Sequence, residues 1–106
     1  MLDLFKKKYE NITSQEVSNV MNHADVMIID VRESHEYSRG HIPKAKLIPL
    51  GTIEQRLAEI DKSKKIIVVC ASGGRSSRAA SFLGSAGYQV SNMMGGMMAW
   101  AGPTKN

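Results

Sequence analysis

Ile66-Ile67-Val68-Val69-Cys70-Ala71-Ser72-Gly73-Gly74-Arg75-Ser76-Ser77-Arg78-Ala79-Ala80 is the stretch that decides the fold. Its four consecutive β-branched aliphatic residues have no polar face, the pattern of a strand buried on both sides in a parallel sheet. The small residues behind them, with Gly73 and Gly74, read as a tight loop, and Ala79, Ala80 and Leu83 lie in a helix-forming run beyond it. Cys70 therefore stands at the carboxyl end of a strand, in a loop that leads into a helix N-terminus. Open α/β sheets bind ligands at that edge. Successive loop N–H groups and the positive end of a helix favour an anion there, and a thiolate over a thiol.

On either side the pattern alternates. Residues 10–13 read as a short first strand. Thr13 and Glu16 have capping-box spacing, and Val17, Val20 and Met21 share one face of the helix that follows. Residues 26–29 form a buried strand ending at Asp30. Residues 34–39 suit a short helix stopped by Gly40. Residues 46–49 read as an edge strand, which tolerates Pro49. Ile53, Leu57 and Ile60 mark a helix with Glu54, Arg56 and Glu59 around it. The helix after Cys70 runs to about Gly84. Residues 88–93 are the last strand. Gly95-Gly96 turns the chain into a final helix from Met97, with Trp100 in the core. This alternation predicts an α/β fold, a central mostly parallel sheet of about five strands with helices on both faces, and one domain over 1–106.

Composition narrows the function. At 106 residues and 42% hydrophobic, the chain has enough apolar content for a packed core. A single cysteine excludes an internal disulfide framework and fits a reducing compartment. The first eight residues lack the apolar run of a secretory signal, and no run approaches membrane-spanning length. A cytoplasmic protein without a membrane partner is the expectation. The net charge of +4 comes from lysines grouped at 6–8, 44–46 and 62–65. No aromatic residues interleave with them to stack bases, so they read as solvated surface and not as a nucleic-acid site. A modest positive field also gathers small anions. His23 and His35 have no metal-ligand spacing and no cysteine pair beside them, so no metal site is expected. Met93, Met94, Met97 and Met98 read as packing.

A buried cysteine at a strand end is often mere packing. Here the loop that follows carries glycines, which let backbone N–H groups approach a ligand, and ends in Arg75, a planar and permanently charged donor fork. That is the context of an anion-binding nucleophile. Asp30 and Arg32 lie just past another strand end. Asp30 can accept loop N–H groups, and Arg32 can pair with Glu36 or a substrate; a structural network holding the loops is the favoured reading. Histidine is a common general base, and His41 is a candidate for that role, but between Gly40 and Ile42-Pro43 it reads as a hydrogen-bonded turn residue.

Three segments carry a resemblance. Asp30-Val31-Arg32-Glu33-Ser34-His35-Glu36-Tyr37-Ser38-Arg39-Gly40-His41-Ile42-Pro43-Lys44-Ala45 is similar to the amino-terminal signature of the single-domain rhodaneses, a sulfurtransferase family. Cys70-Ala71-Ser72-Gly73-Gly74-Arg75-Ser76 resembles the family's active-site loop, and Met94-Gly95-Gly96-Met97-Met98-Ala99-Trp100 its closing signature. Lys44 departs from the pattern, standing where glycine is usual, and the segment after Trp100 is short.

The resemblance implies a thiosulfate sulfurtransferase that works without cofactor. Cys70 would be the nucleophile and persulfide carrier, and Ala71, Ser72, Gly73, Gly74, Arg75 and Ser76 would bind a small anionic sulfur donor. A thiol, cyanide or a sulfur-accepting protein would take the sulfur. Asp30, Arg32 and His41 would be supports. Phosphatases and arsenate reductases of similar fold resemble a loop one residue longer, and a non-catalytic interaction module usually lacks the cysteine. Both are the alternatives.

Overall fold

The computed structural model describes residues 8–106. The strands are β1 (Glu10–Ile12), β2 (Val26–Asp30), β3 (Lys46–Leu47), β4 (Lys65–Val69) and β5 (Val90–Met93). The α-helices are α1 (Ser14–Val20), α2 (Ser34–Tyr37) and α3 (Gly74–Ser85). All strand pairs are parallel, in the order β1-β5-β4-β2-β3. From β2 the chain moves outward to β3 at one edge, and from β4 it moves the opposite way, to β5. The crevice between the carboxyl ends of β2 and β4 is thus the switch point of the sheet, where ligands of such folds bind.

Strand parity decides what reaches that crevice. Ile66, Val68 and Cys70 face one side with Ile29, Val31 and Val90, and pack against Ala79, Ala80 and Leu83 of α3. Ile67 and Val69 face the other side with Ile28 and Met93, and pack against Val17 of α1 and Met21 just after it. The unbroken aliphatic run of β4 serves two cores at once, and the same alternation aims Cys70 beneath the first turn of α3. α1 starts as its sequence dictates: the Thr13 hydroxyl accepts from the Glu16 N–H (3.1 Å), and the Glu16 carboxylate accepts from the Thr13 N–H (3.0 Å).

Four expectations need correction. The segment carrying Ile53, Leu57 and Ile60 is no α-helix but consecutive 3-10 turns, Leu50–Thr52 and Glu54–Glu59, interrupted at Arg56 with φ −113°. Spacings of four and three bury Ile53 and Ile60 equally well on so short a segment. The final helix is a single 3-10 turn, Gly96–Ala99. Trp100 ends that turn half-buried against the α1-side core, its indole N–H donating to the Pro103 carbonyl (2.9 Å). Of the four methionines, Met93 is in the core and Met97 lies against it, whereas Met94 and Met98 are exposed. Lys44, standing where glycine is usual, also bears on the backbone. Its φ of 72° is the left-handed conformation that a side chain adopts at a cost of about 1–2 kcal/mol.

Candidate active site

Gly73 caps α3 with φ 109°, a conformation glycine adopts without penalty. This turn folds the loop back so that the Gly73 N–H points at Cys70 Sγ, 3.0 Å away. The first turn of α3 has no acidic residue and no side-chain cap, so its N–H groups keep no partner from the helix itself. The sulfur takes that role. It accepts hydrogen bonds from the Gly73 N–H and from the Ser76 hydroxyl at 3.2 Å, and the backbone N–H groups of Ser72 and Ser76 act on it as well. Cys70 is only 1% exposed. Burial pushes its thiol up, but the Ser76 hydroxyl and then the three backbone N–H groups outweigh it and hold the thiol below its ordinary value. Gly74 has ordinary backbone geometry and open space at its Cβ position, so neither conformation nor crowding requires a glycine there.

The Gly96–Ala99 turn sets the orientation of the loop from outside. Met97 N–H donates to the Cys70 carbonyl (2.8 Å) and Met98 N–H to the Ala71 carbonyl (2.9 Å). In a trans peptide the N–H points opposite to the C=O. Holding these two carbonyls toward the turn therefore directs the next two N–H groups, of Ala71 and Ser72, away from it and into the loop. The approach is close: a Cβ on Gly96, whose φ is 58°, would lie 2.5 Å from the Cys70 and Ala71 carbonyl oxygens.

Arg75 does not stand free as an anion fork. Its two terminal nitrogens donate to the two Glu36 carboxylate oxygens at 2.7 and 2.8 Å. Glu36 is itself held by its own helix, accepting from the Glu33 N–H at 3.0 Å. The Arg75 fork, and then the Glu33 N–H, pull the Glu36 carboxyl down to about 2 against a smaller upward push from burial. Glu36 in turn raises Arg75 further above its already high value, with help from the nearby Cys70 charge. The pairing of Glu36 is with Arg75 and not with Arg32.

Asp30 and Arg32 form a separate structural clasp. Arg32 donates to Asp30 through its backbone N–H (3.1 Å), Nε (3.0 Å) and Nη2 (2.8 Å), and to the Gly40 carbonyl through Nη2 (2.9 Å). His41 stacks on the Tyr37 ring at 3.6 Å, and its Nδ1–H donates to the Tyr37 carbonyl at 2.9 Å. Its backbone exchanges two hydrogen bonds with Lys105. The imidazole is thus bound up in the turn, and the amino-terminal motif acts as a brace under the loop. Among the described residues no group of three or more His, Cys, Asp or Glu side chains is placed to hold a metal ion, and no helix is long and apolar enough to cross a membrane.

Two site residues escaped the sequence reading. Glu36 was visible only as a partner for Arg32. Asn92, 5% exposed on β5, gave no signal; it lies beside Val68 on the α3 side of the sheet, and its carboxamide meets the Ser76 hydroxyl at 2.5 Å.

A parallel five-stranded sheet with a cysteine cradled at its switch point defines the rhodanese-like domain. The family model of that description matches residues 13–103, and the chain belongs to that family. The chain is 40% identical over 78 residues to a sulfurtransferase of Allochromatium vinosum, covering 73% of each chain. It is 32% identical over 93 residues to the thiosulfate sulfurtransferase GlpE of Pseudoalteromonas translucida, covering 87% of this chain and 89% of that one. The crystal structure of a rhodanese-related protein from Thermoplasma volcanium superposes with a TM-score of 0.86 at 27% identity, over 92% of this chain and 98% of that one. Other relatives carry other names, among them a tRNA uridine(34) hydroxylase of which the chain covers 29%.

Proposed function

We propose that residues 1–106 form one catalytic rhodanese domain, working in a reducing cytoplasm, that moves a sulfane sulfur through a persulfide on Cys70. The observation that carries this is the ring of three backbone N–H groups and one hydroxyl around Cys70 Sγ. The Cys70 thiolate attacks the outer sulfur of thiosulfate or of an organic persulfide. The S–S bond of the donor breaks, and sulfite or a thiolate leaves with the electron pair. Cyanide, a small thiolate or the cysteine of an acceptor protein then attacks the outer sulfur of the Cys70 persulfide and expels the Cys70 thiolate. The two displacements balance without an external oxidant or reductant. The loop N–H groups stabilise the negative sulfur at both ends of the cycle. With four residues between Cys70 and Arg75, the cradle suits a sulfur atom better than a phosphoryl group.

Intact-protein mass after thiosulfate tests this directly. One added sulfur is expected, removed by cyanide and absent in Cys70→Ser. Full transfer activity in Cys70→Ser, or brisk hydrolysis of an aryl phosphate with no persulfide formed, would overturn the reading.

A further inference from the structure

Ser76 has one hydroxyl proton and two neighbours that compete for it. Its Oγ lies 3.2 Å from Cys70 Sγ and 2.5 Å from the Asn92 carboxamide oxygen, with all three residues buried. A hydroxyl donates once and accepts up to twice. When Cys70 is a thiol, one arrangement satisfies every group: S–H donates to Ser76 Oγ, and Ser76 donates to Asn92 Oδ1. When Cys70 is a thiolate it can only accept, so the Ser76 proton must turn to the sulfur. Oγ then faces the Asn92 oxygen with no proton between them. At 2.5 Å this is repulsive, and the cure is local. Rotating the carboxamide by half a turn exchanges its oxygen for its NH2, which donates to Oγ.

We propose that Asn92 is a positioning residue whose carboxamide turns with the state of Cys70 and so directs the Ser76 proton toward the thiolate. Asn92 is fixed for this by the sheet. It pairs with Val68, two residues before Cys70, and its parity with Val90 puts both side chains on the α3 face. Its turned NH2, donating to Oγ, leaves the Ser76 proton to the thiolate and strengthens that bond through the chain of donors. The relay acts wherever Cys70 bears charge, both as the attacking thiolate and as the thiolate expelled in the second displacement. It rests on the reading of Cys70 as the nucleophile. The charged group beside the sulfur is Arg75, with Glu36 paired to it and Glu33 near it. None of them is touched by the variants below.

The test is the rate of Cys70 alkylation by iodoacetamide against pH, in the full chain, for Asn92→Leu, Ser76→Ala and the double variant. This readout needs no sulfur transfer, so it stands apart from the persulfide mass experiment that tests the nucleophile itself. Asn92→Leu is expected to move the inflection upward and slow alkylation at neutral pH by about two- to tenfold, the worth of one hydrogen bond. In the Ser76→Ala background it should add nothing. Asn92→Ala, which introduces no bulk, serves if Asn92→Leu does not fold, and is expected to move the inflection the same way. An inflection that stays, falls, or rises equally in the Ser76→Ala background overturns the proposal.

Discussion

Two arginine–carboxylate pairs take their carboxylates from the amino-terminal motif, and they differ chiefly in burial. The Asp30 side chain is 0% exposed and that of Arg32 8%, while those of Glu36 and Arg75 are 24% and 35% exposed. Arg32 spends its bonds on Asp30 and on the Gly40 carbonyl, joining the end of β2 to the turn that carries His41. Arg75 and Glu36 join α3 to α2 across the mouth of the cradle. A charge stripped of water is ruinous when its partner goes, whereas one at the surface is rehydrated. The first pair is therefore committed to structure. The second sits where water can replace a lost partner.

The comparison is most easily broken at Arg32. Arg32→Ala strands the Asp30 carboxylate in the interior and should cost about 3–5 kcal/mol, read as a fall in the urea midpoint. Asp30→Asn combined with Arg32→Met should recover part of it. A cost of less than ~1 kcal/mol would place the two pairs in one class. At Arg75 the effect should fall on kinetics instead. Arg75→Ala is expected to lower kcat/KM for thiosulfate by roughly ten- to a hundredfold, the loss of one charge-assisted bond, with a smaller midpoint shift than Arg32→Ala. Adding Glu36→Gln should return part of the activity, because it removes the carboxylate left facing an anionic donor.

The Glu36 carboxyl is depressed to about 2 from an ordinary 4.5, so its stabilising effect is complete above the ordinary value and lost as the pH falls toward about 2. The midpoint difference between wild type and Glu36→Gln should shrink over that window and stay flat above it. The smallest effect is expected at Glu59, which pairs with Arg56 and Lys46 at the surface, its side chain 37% exposed. Glu59→Gln should leave both midpoint and kinetics within the scatter of measurement, and a clear shift there would mean that exposure does not rank these pairs.

What the sequence could say follows from the range of the forces involved. Four β-branched residues admit one reading, a doubly covered strand, and Cys70 inherits its place from them. The Thr13–Glu16 box closes within one turn and is legible for the same reason. The 3-10 turns around Arg56 were not, because apolar spacing over so few residues suits either helix. Asn92 was hidden for a different reason. Ser91 and Asn92 are both polar, so nothing in β5 alone says which of them faces inward. The register of β5 on β4 decides that, and register is a property of two strands. Arg75 reads from sequence as a fork for an anionic donor, whereas its two terminal nitrogens hold the Glu36 carboxylate, 39 residues away.

The Met97 and Met98 amides grip the Cys70 and Ala71 carbonyls from behind, at a distance only Gly96 permits. The cradle is thus no modular cassette. A graft of residues 70–76 into another α/β scaffold would bring Cys70 and its glycine hinge but leave these carbonyls unanchored, free to swing inward and present oxygen to the sulfur. An engineer moving this chemistry elsewhere must carry residues 94–99 along with it. By the same token, a genetic screen for suppressors of a damaged loop should look first in the turn that holds it from behind.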